Sequence, residues 1–422
     1  MSVVDLARGG VPHPASRVSA PAQDRLAELL LYLPIVGVTF FAKFGMSFGT
    51  RSISVALLFI WAALAAGLLL GRMQINGGNF VFYSAMVAVL AAEQVFGGNY
   101  FSGKSVALLV AIHFPYVVSL GNGLARQDSL LRFYANVALI LALCGIAQFA
   151  GQFVTGYEML FPIDQLPDGL LLGGYHNLIP LGSSGLYKSN GIFLTEPSEL
   201  SQNLAIAIII EFLFVRRFLQ RLLRLFILAA GMAVSFSGTG LVLLACVAPL
   251  IIIIQRRLDL FLLLLVLGAL GVGVALIAAD ALHLEVFVER AGELRQGGSE
   301  TSGFARYVAG FYLFDQYLWQ DLGRTLFGMG AGAWEGYSRR AIYSAAGVTW
   351  VKIPFEYGLI GAAVYFAFIG NCIFRSRQSI FLRWGMMVYL LLNEALVPFA
   401  HGLILPALVW PSDEKRDRDE GA

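Results

Sequence analysis

Two glutamates, Glu196 and Glu199, bracket Pro197 and Ser198 in "NGIFLTEPSELSQ" (190–202), directly ahead of the apolar run "NLAIAIIIEFLF" (203–214). Carboxylates at the mouth of such a run either cap a helix or do chemistry. The capping reading is sound, since Thr195 can cap, Pro197 suits a first turn, and acidic side chains complement the positive end of a helix dipole. The same dipole favours a charged Glu196, a poorer base unless desolvation opposes it, and a charged carboxylate can position an arginine or a sugar hydroxyl. Other polar groups recur within apolar surroundings: Glu93, His113, Gln148, Lys352, Glu356, Glu394 and His401. Burying an ionisable group in hydrocarbon costs about 2.5 to 3.5 kcal/mol on insertion scales, so such groups face a cavity or one another. Together they suggest a polar chamber, with helix ends placed a turn too short as the plain alternative.

The elements that must position these groups are helices. With 58% hydrophobic and 13% charged residues, the chain carries repeated apolar stretches near the length that crosses a bilayer. "ISVALLFIWAALAAGLLLG" (53–71) and "DLFLLLLVLGALGVGVALIAA" (259–279) are examples. They lack the alternation of barrel strands, so the expected fold class is an all-α polytopic membrane bundle of about 12 transmembrane helices. Spans are expected near 26–42, 53–71, 80–96, 104–120, 133–154, 198–215, 225–236, 240–255, 259–279, 353–373, 384–398 and 400–410. The parts are then a cytoplasmic tail (1–25), one membrane domain (26–410) and a charged cytoplasmic tail (411–422). Cys144, Cys246 and Cys372 lie far apart within apolar spans, which suggests neither a disulfide framework nor a metal site. The net charge of +2 gives no reason to expect nucleic acid as a partner.

Lysines and arginines of the short segments cluster on the side of the N-terminus, which puts both termini in the cytoplasm. Two segments on the opposite side, 155–197 and 280–351, are too long for simple turns, and long loops tend to carry function. Within the second, "FARYVAGFYLFDQYLW" (304–319) spaces its aromatics at helical intervals and reads as an interfacial helix. The glycine-rich "GRTLFGMGAGAWEGYSRR" (323–340) reads as a turn-rich or ligand-hugging stretch. Lys352 and Glu356 are spaced for a helical ion pair.

The order of "NGIFLTEPSELSQ", the hairpin "SFSGTG" (235–240), an outer loop with "SGFARY" (302–307) and "LFGMGAGAW" (326–334), and "EYGLIG" (356–361) resembles the polysaccharide polymerase and O-antigen ligase superfamily. The resemblance covers roughly 185 to 365. It implies a membrane-embedded glycosyltransferase of the bacterial inner membrane, acting at the periplasmic face on glycans carried by undecaprenyl diphosphate. No cofactor or metal is implied. Membrane lipids, and a flippase and chain-length regulator of the same pathway, are implied as partners. A diphosphate leaving group calls for cations, and the arginine fork matches phosphate oxygens. The resemblance therefore points to Glu196 and Arg306 as catalytic residues, with Arg290, Arg339, Arg340 and Lys188 as diphosphate-binding candidates.

Each has a plain counterpart: snorkelling for Arg306, a solvated loop face for Arg339 and Arg340. Ligases of the superfamily carry a histidine shortly after the glycine turn, and "WEGYSRRAIYSAAGVTW" (334–350) has none, which favours the polymerase. His283 stands at the other end of the loop and reads as interfacial. A secondary transporter is the alternative of a different class, weakened by the lack of internal repeats and of Gly/Pro-broken spans in matching halves.

Overall fold

The computed structural model describes residues 25–48, 51–96, 100, 102–121, 127–172, 178–181, 185–214, 218–255, 302–393 and 404–411. The expected ninth span (259–279), Arg290, His283, Glu394, His401 and, of the expected tails, residues 1–24 and 412–422 lie outside the described residues.

The described chain is mostly helical. The helices are α1 (Arg25–Phe40), α2 (Val55–Leu69), α3 (Gly77–Phe96), α4 (Gly103–His113), α5 (Gln127–Thr155), α6 (Pro197–Leu213), α7 (Phe218–Val234) and α8 (Thr239–Gln255). Then come α9 (Ser302–Tyr307), α10 (Ala309–Leu313), α11 (Leu322–Phe327), α12 (Ala333–Ser338), α13 (Thr349–Phe374), α14 (Ile380–Leu392) and α15 (Ile404–Val409). Two small antiparallel pairs join them: β1 (Gly45–Phe48) with β2 (Arg51–Ser54), and β3 (Met73–Ile75) with β4 (Val118–Leu120). In the second pair Met73 lies opposite Leu120 and Ile75 opposite Val118.

Among the described residues two helices, α5 and α13, are long and apolar enough to cross a membrane. At 29 residues α5 is roughly 43 Å long, more than the hydrocarbon requires. The other apolar helices are shorter. The expected span at 104–120 stops at His113, because Pro115 cannot continue the α-helical ladder, and the chain passes through a 3-10 turn (Phe114–Val117) into β4. Large apolar side chains stand exposed on several helices, including Leu58, Ile140, Leu143, Leu223, Phe226 and Ile253. Such a belt is compatible with a lipid-facing surface.

The centre of the fold is α6. Every residue from Pro197 to Phe212 is buried, and α6 packs against α5, α7, α8 and α14. A helix covered all round shows no amphipathic stripe, as its near-continuous apolar sequence requires. Close approach is secured by small residues: a Cβ on Gly231 of α7 would stand 2.7 Å from that of Ala142 on α5. At the other end of α6, buried Glu211 accepts from Arg224 Nε at 2.7 Å, and the same guanidinium donates to Asn136 Oδ1 at 2.9 Å.

One expected element is broken. Where the sequence suggests an uninterrupted tenth span, Gly358 takes φ 64° and ψ −173° inside α13, four residues after Pro354. Carbonyls released at such a break need new donors when buried. Met329 N–H donates to Phe355 O and Gly330 N–H to Glu356 O, both at 2.9 Å. The glycine run 328–332 is thus a clasp on the unwound turn. A Cβ on Gly328 would lie 2.4 Å from Glu356 O, and one on Gly358 2.2 Å from Leu326 O.

Gly358→Ala is therefore expected to lower stability by about 1–3 kcal/mol, combining backbone strain with a clash. Gly370→Ala, where a Cβ meets nothing within 4 Å, is expected to be neutral or slightly stabilising. Denaturant titration of the purified protein in micelles checks the contrast, and equal midpoints for the two variants would contradict it.

Candidate functional site

The site is built on the start of α6. Ahead of it the chain runs through Gly191 (φ 68°) and Ile192 (φ 71°), the latter a left-handed conformation that a β-branched residue rarely adopts. One side chain from a neighbouring helix reaches every residue of this turn. Gln148 Oε1, from α5, accepts from Ser189 Oγ at 2.7 Å and from the N–H groups of Asn190, Gly191 and Ile192 at 3.1, 3.1 and 3.4 Å. Gln148 Nε2 donates to Asn190 Oδ1 and to Leu160 O, each at 3.1 Å. One buried amide therefore anchors both the turn at 189–192 and the turn around Leu160.

The two glutamates divide the work. Glu199 is buried and reaches back to Thr195, accepting from its N–H at 3.2 Å and from its hydroxyl. That is the capping role expected of the stretch, displaced by one residue from the usual box. Glu196 occupies the N-cap position in extended conformation, yet its side chain makes no capping bond. It accepts from Ser198 Oγ at 2.7 Å and from Arg306 Nη2 at 3.3 Å. These side chains are 34% and 21% exposed, so the pair is open to a ligand.

The hairpin "SFSGTG" braces the same turn. Thr239 Oγ1 donates to Ser198 O at 3.2 Å, Gly240 N–H to Ser201 Oγ at 3.1 Å, and Ser201 Oγ to Ser237 O at 3.0 Å. Below it, Asn203 Nδ2 donates to Glu199 O at 2.9 Å and accepts at Oδ1 from Tyr134 at 2.9 Å. Behind it, Lys43 Nζ lies 2.5 Å from Asp164 Oδ2, both almost wholly buried. Burial holds the Lys43 pKa below its ordinary value, against the opposing pull of Asp164 and Glu199.

Arg306 comes from the segment between α8 and α13. The expected single interfacial helix over 304–319 is instead three pieces: α9, α10 and a π turn at Phe314–Leu318. At the break, Ala305 O accepts the N–H of Ala346 at 2.9 Å, a tertiary bond that substitutes for helix continuity. The segment keeps an interfacial look, with Val308, Phe311, Tyr312 and Trp319 exposed. Its inner side forms a small separate core of Leu313, Phe314, Met329, Trp334, Val351 and Phe355.

The remaining candidates are placed differently. Arg339 and Arg340 sit exposed at the end of α12, with Arg340 over the Tyr337 ring at 5.6 Å. Lys188 is buried, and its N–H donates to Ile179 O at 3.0 Å. Lys352 pairs with Glu335 and stands 4.0 Å from Glu356 Oε1, so the expected helical pair is part of a triad. Glu356 Oε1 also accepts from Trp334 N–H at 3.2 Å. Among the described residues no group of three or more His, Cys, Asp or Glu side chains is arranged to hold a metal. Gln148 stood out in the sequence as a polar group amid apolar residues, though not as the anchor of this turn, and the Lys43–Asp164 pair was missed. No protein-family model matches the chain, and no curated protein matches it.

Gln148→Leu strands buried N–H groups and is expected to cost about 1–3 kcal/mol of stability. Glu196→Gln, which removes a partly exposed pair, is expected to cost at most ~1 kcal/mol. Unfolding midpoints in micelles check both, and a larger loss for Glu196→Gln than for Gln148→Leu would make the pair structural.

Proposed function

We propose that the chain is a polytopic inner-membrane glycosyltransferase that polymerises undecaprenyl-diphosphate-linked oligosaccharide repeat units at the periplasmic face, with both termini in the cytoplasm. The observation that carries this reading is the Glu196–Arg306 contact. It joins two segments 110 residues apart, the two that carry the superfamily resemblance, in a partly open ion pair that no capping need explains.

In this mechanism the donor diphosphate competes for the Arg306 guanidinium, whose fork suits its oxygens and stabilises charge as the leaving group departs. Glu196, relieved of its arginine, orients the acceptor hydroxyl and receives its proton as the oxygen attacks the anomeric carbon. One C–O bond forms, the bond to the diphosphate breaks, and a single displacement inverts the anomeric centre. Arg339, Arg340, Lys188 and Arg290 remain candidates for binding the lipid-linked diphosphates. The ligase reading shares this chemistry with lipid A core as acceptor, and the histidine-free 334–350 segment favours the polymerase.

A transporter draws on a different observation, the broken α13 beside buried Lys352 and Glu356 and the half-exposed Glu335. The clasp of 328–332 on that break supports a static role, because the released carbonyls already have donors.

Surface glycan length separates the readings. In a deletion strain complemented with Glu196→Gln or Arg306→Ala at matched protein levels, chains are expected to collapse to single repeat units, a loss of about 10²-fold or more in transfer. Long chains that persist on the lipid carrier without reaching the surface would favour ligation or export, and an unchanged ladder would rule out the polymerase.

A further inference from the structure

A cavity of about 270 Å³ opens beside the candidate site, lined by Tyr157, Glu158, Phe161, Asp164, Gln165 and Leu178. Its walls are of two kinds. Tyr157 offers aromatic surface, backed by Tyr187 at a ring-centroid distance of 4.4 Å, which in turn packs on buried Phe161 at 6.1 Å. Glu158, Asp164 and Gln165 offer acceptors and an amide, and Gln165 Nε2 is already oriented by donation to Glu158 O. Tyr187 is pinned through its main chain, which exchanges hydrogen bonds of 2.8 and 3.0 Å with the amide of Gln152. The aromatic wall is therefore fixed from behind.

An aromatic ring opposed by a few polar groups in a small concave site suits a ligand with one apolar C–H face and a rim of hydroxyls, which is the anatomy of a sugar ring. Charge narrows the choice. Asp164 is offset by Lys43 at 2.5 Å, whereas Glu158 stands exposed at the rim and carries the acidic character of the opening. The cavity shares its scaffold with the catalytic candidates. Gln148 holds both Leu160 in the cavity turn and the 189–192 turn leading to Glu196, and Lys43 feels both Asp164 and Glu199.

We propose that this cavity is a saccharide subsite that stacks one neutral or amino-substituted sugar ring against Tyr157, with Glu158 disfavouring a uronate. The proposal deepens the glycosyltransferase reading and rests on it for the role of the bound glycan.

Saturation-transfer NMR on the full chain in nanodiscs tests it with three probes: cellotetraose, a glucosamine tetramer and a galacturonic acid tetramer. The first two are expected to show transfer to ring C–H protons, lost at least tenfold in Tyr157→Ala and retained in Tyr157→Phe. The galacturonate is expected to bind about fivefold more weakly, the scale of one like charge at contact in water, and to recover in Glu158→Gln. Glu196→Gln should bind all three as the wild type does, which separates this subsite from the transfer step. Binding unaffected by Tyr157→Ala, or galacturonate bound most tightly with Glu158 intact, overturns the proposal. Absence of binding by a wild type that still polymerises overturns the subsite alone.

Discussion

The first turn of α6 is the constraint on which the rest depends. A helix start leaves N–H groups without partners inside the helix, and here every residue from Pro197 to Phe212 is buried, which limits what water can supply. Pro197 removes one donor, while Glu199 and the Ser237–Gly240 hairpin knit the turn to its surroundings. Because Glu199 takes the capping role, Glu196 can turn outward at the N-cap position and meet a cation from another part of the chain. A structural need met by one carboxylate leaves the second to pair with Arg306.

The second requirement is that the segment between α8 and α13 deliver Arg306 to that point. A segment of short helices has little stability of its own, so it is held by tertiary bonds. Gly310 packs so closely on Val351 that a Cβ would lie 2.4 Å from it, and Ala346 donates to Ala305 one residue before Arg306. The broken α13 supplies the base. Its unwound turn exposes Phe355 O and Glu356 O, which the glycine run 328–332 satisfies, and Lys352, Glu335 and Glu356 lock the same corner with charge.

Much of this was legible in the sequence. The run from 203 onward and the Thr-Glu-Pro-Ser-Glu cap gave the correct helical setting for α6, whereas the aromatic spacing of 304–319 gave helix without its division into three pieces, and Glu196 and Arg306 were each singled out without their contact. The breaks were less legible. Pro115 and Gly358 interrupt apolar stretches that hydropathy alone reads as continuous, because hydropathy measures transfer into lipid and says nothing of carbonyls satisfied by a distant loop. The glycine run is legible as a turn, but its target, the unwound α13, is visible only in three dimensions. The Lys43–Asp164 pair escapes for the same reason, its partners lying 121 positions apart.

The central claim is that Glu196 and Arg306 act as one unit in glycosyl transfer. A double-mutant cycle on purified protein in nanodiscs, with synthetic lipid-linked repeat units as donor and acceptor, measures this directly. If the two act together, Glu196→Gln, Arg306→Ala and the double variant lose comparable amounts of kcat, so that the effects are far from additive. Losses that simply add, or a double variant as active as the wild type, would contradict it.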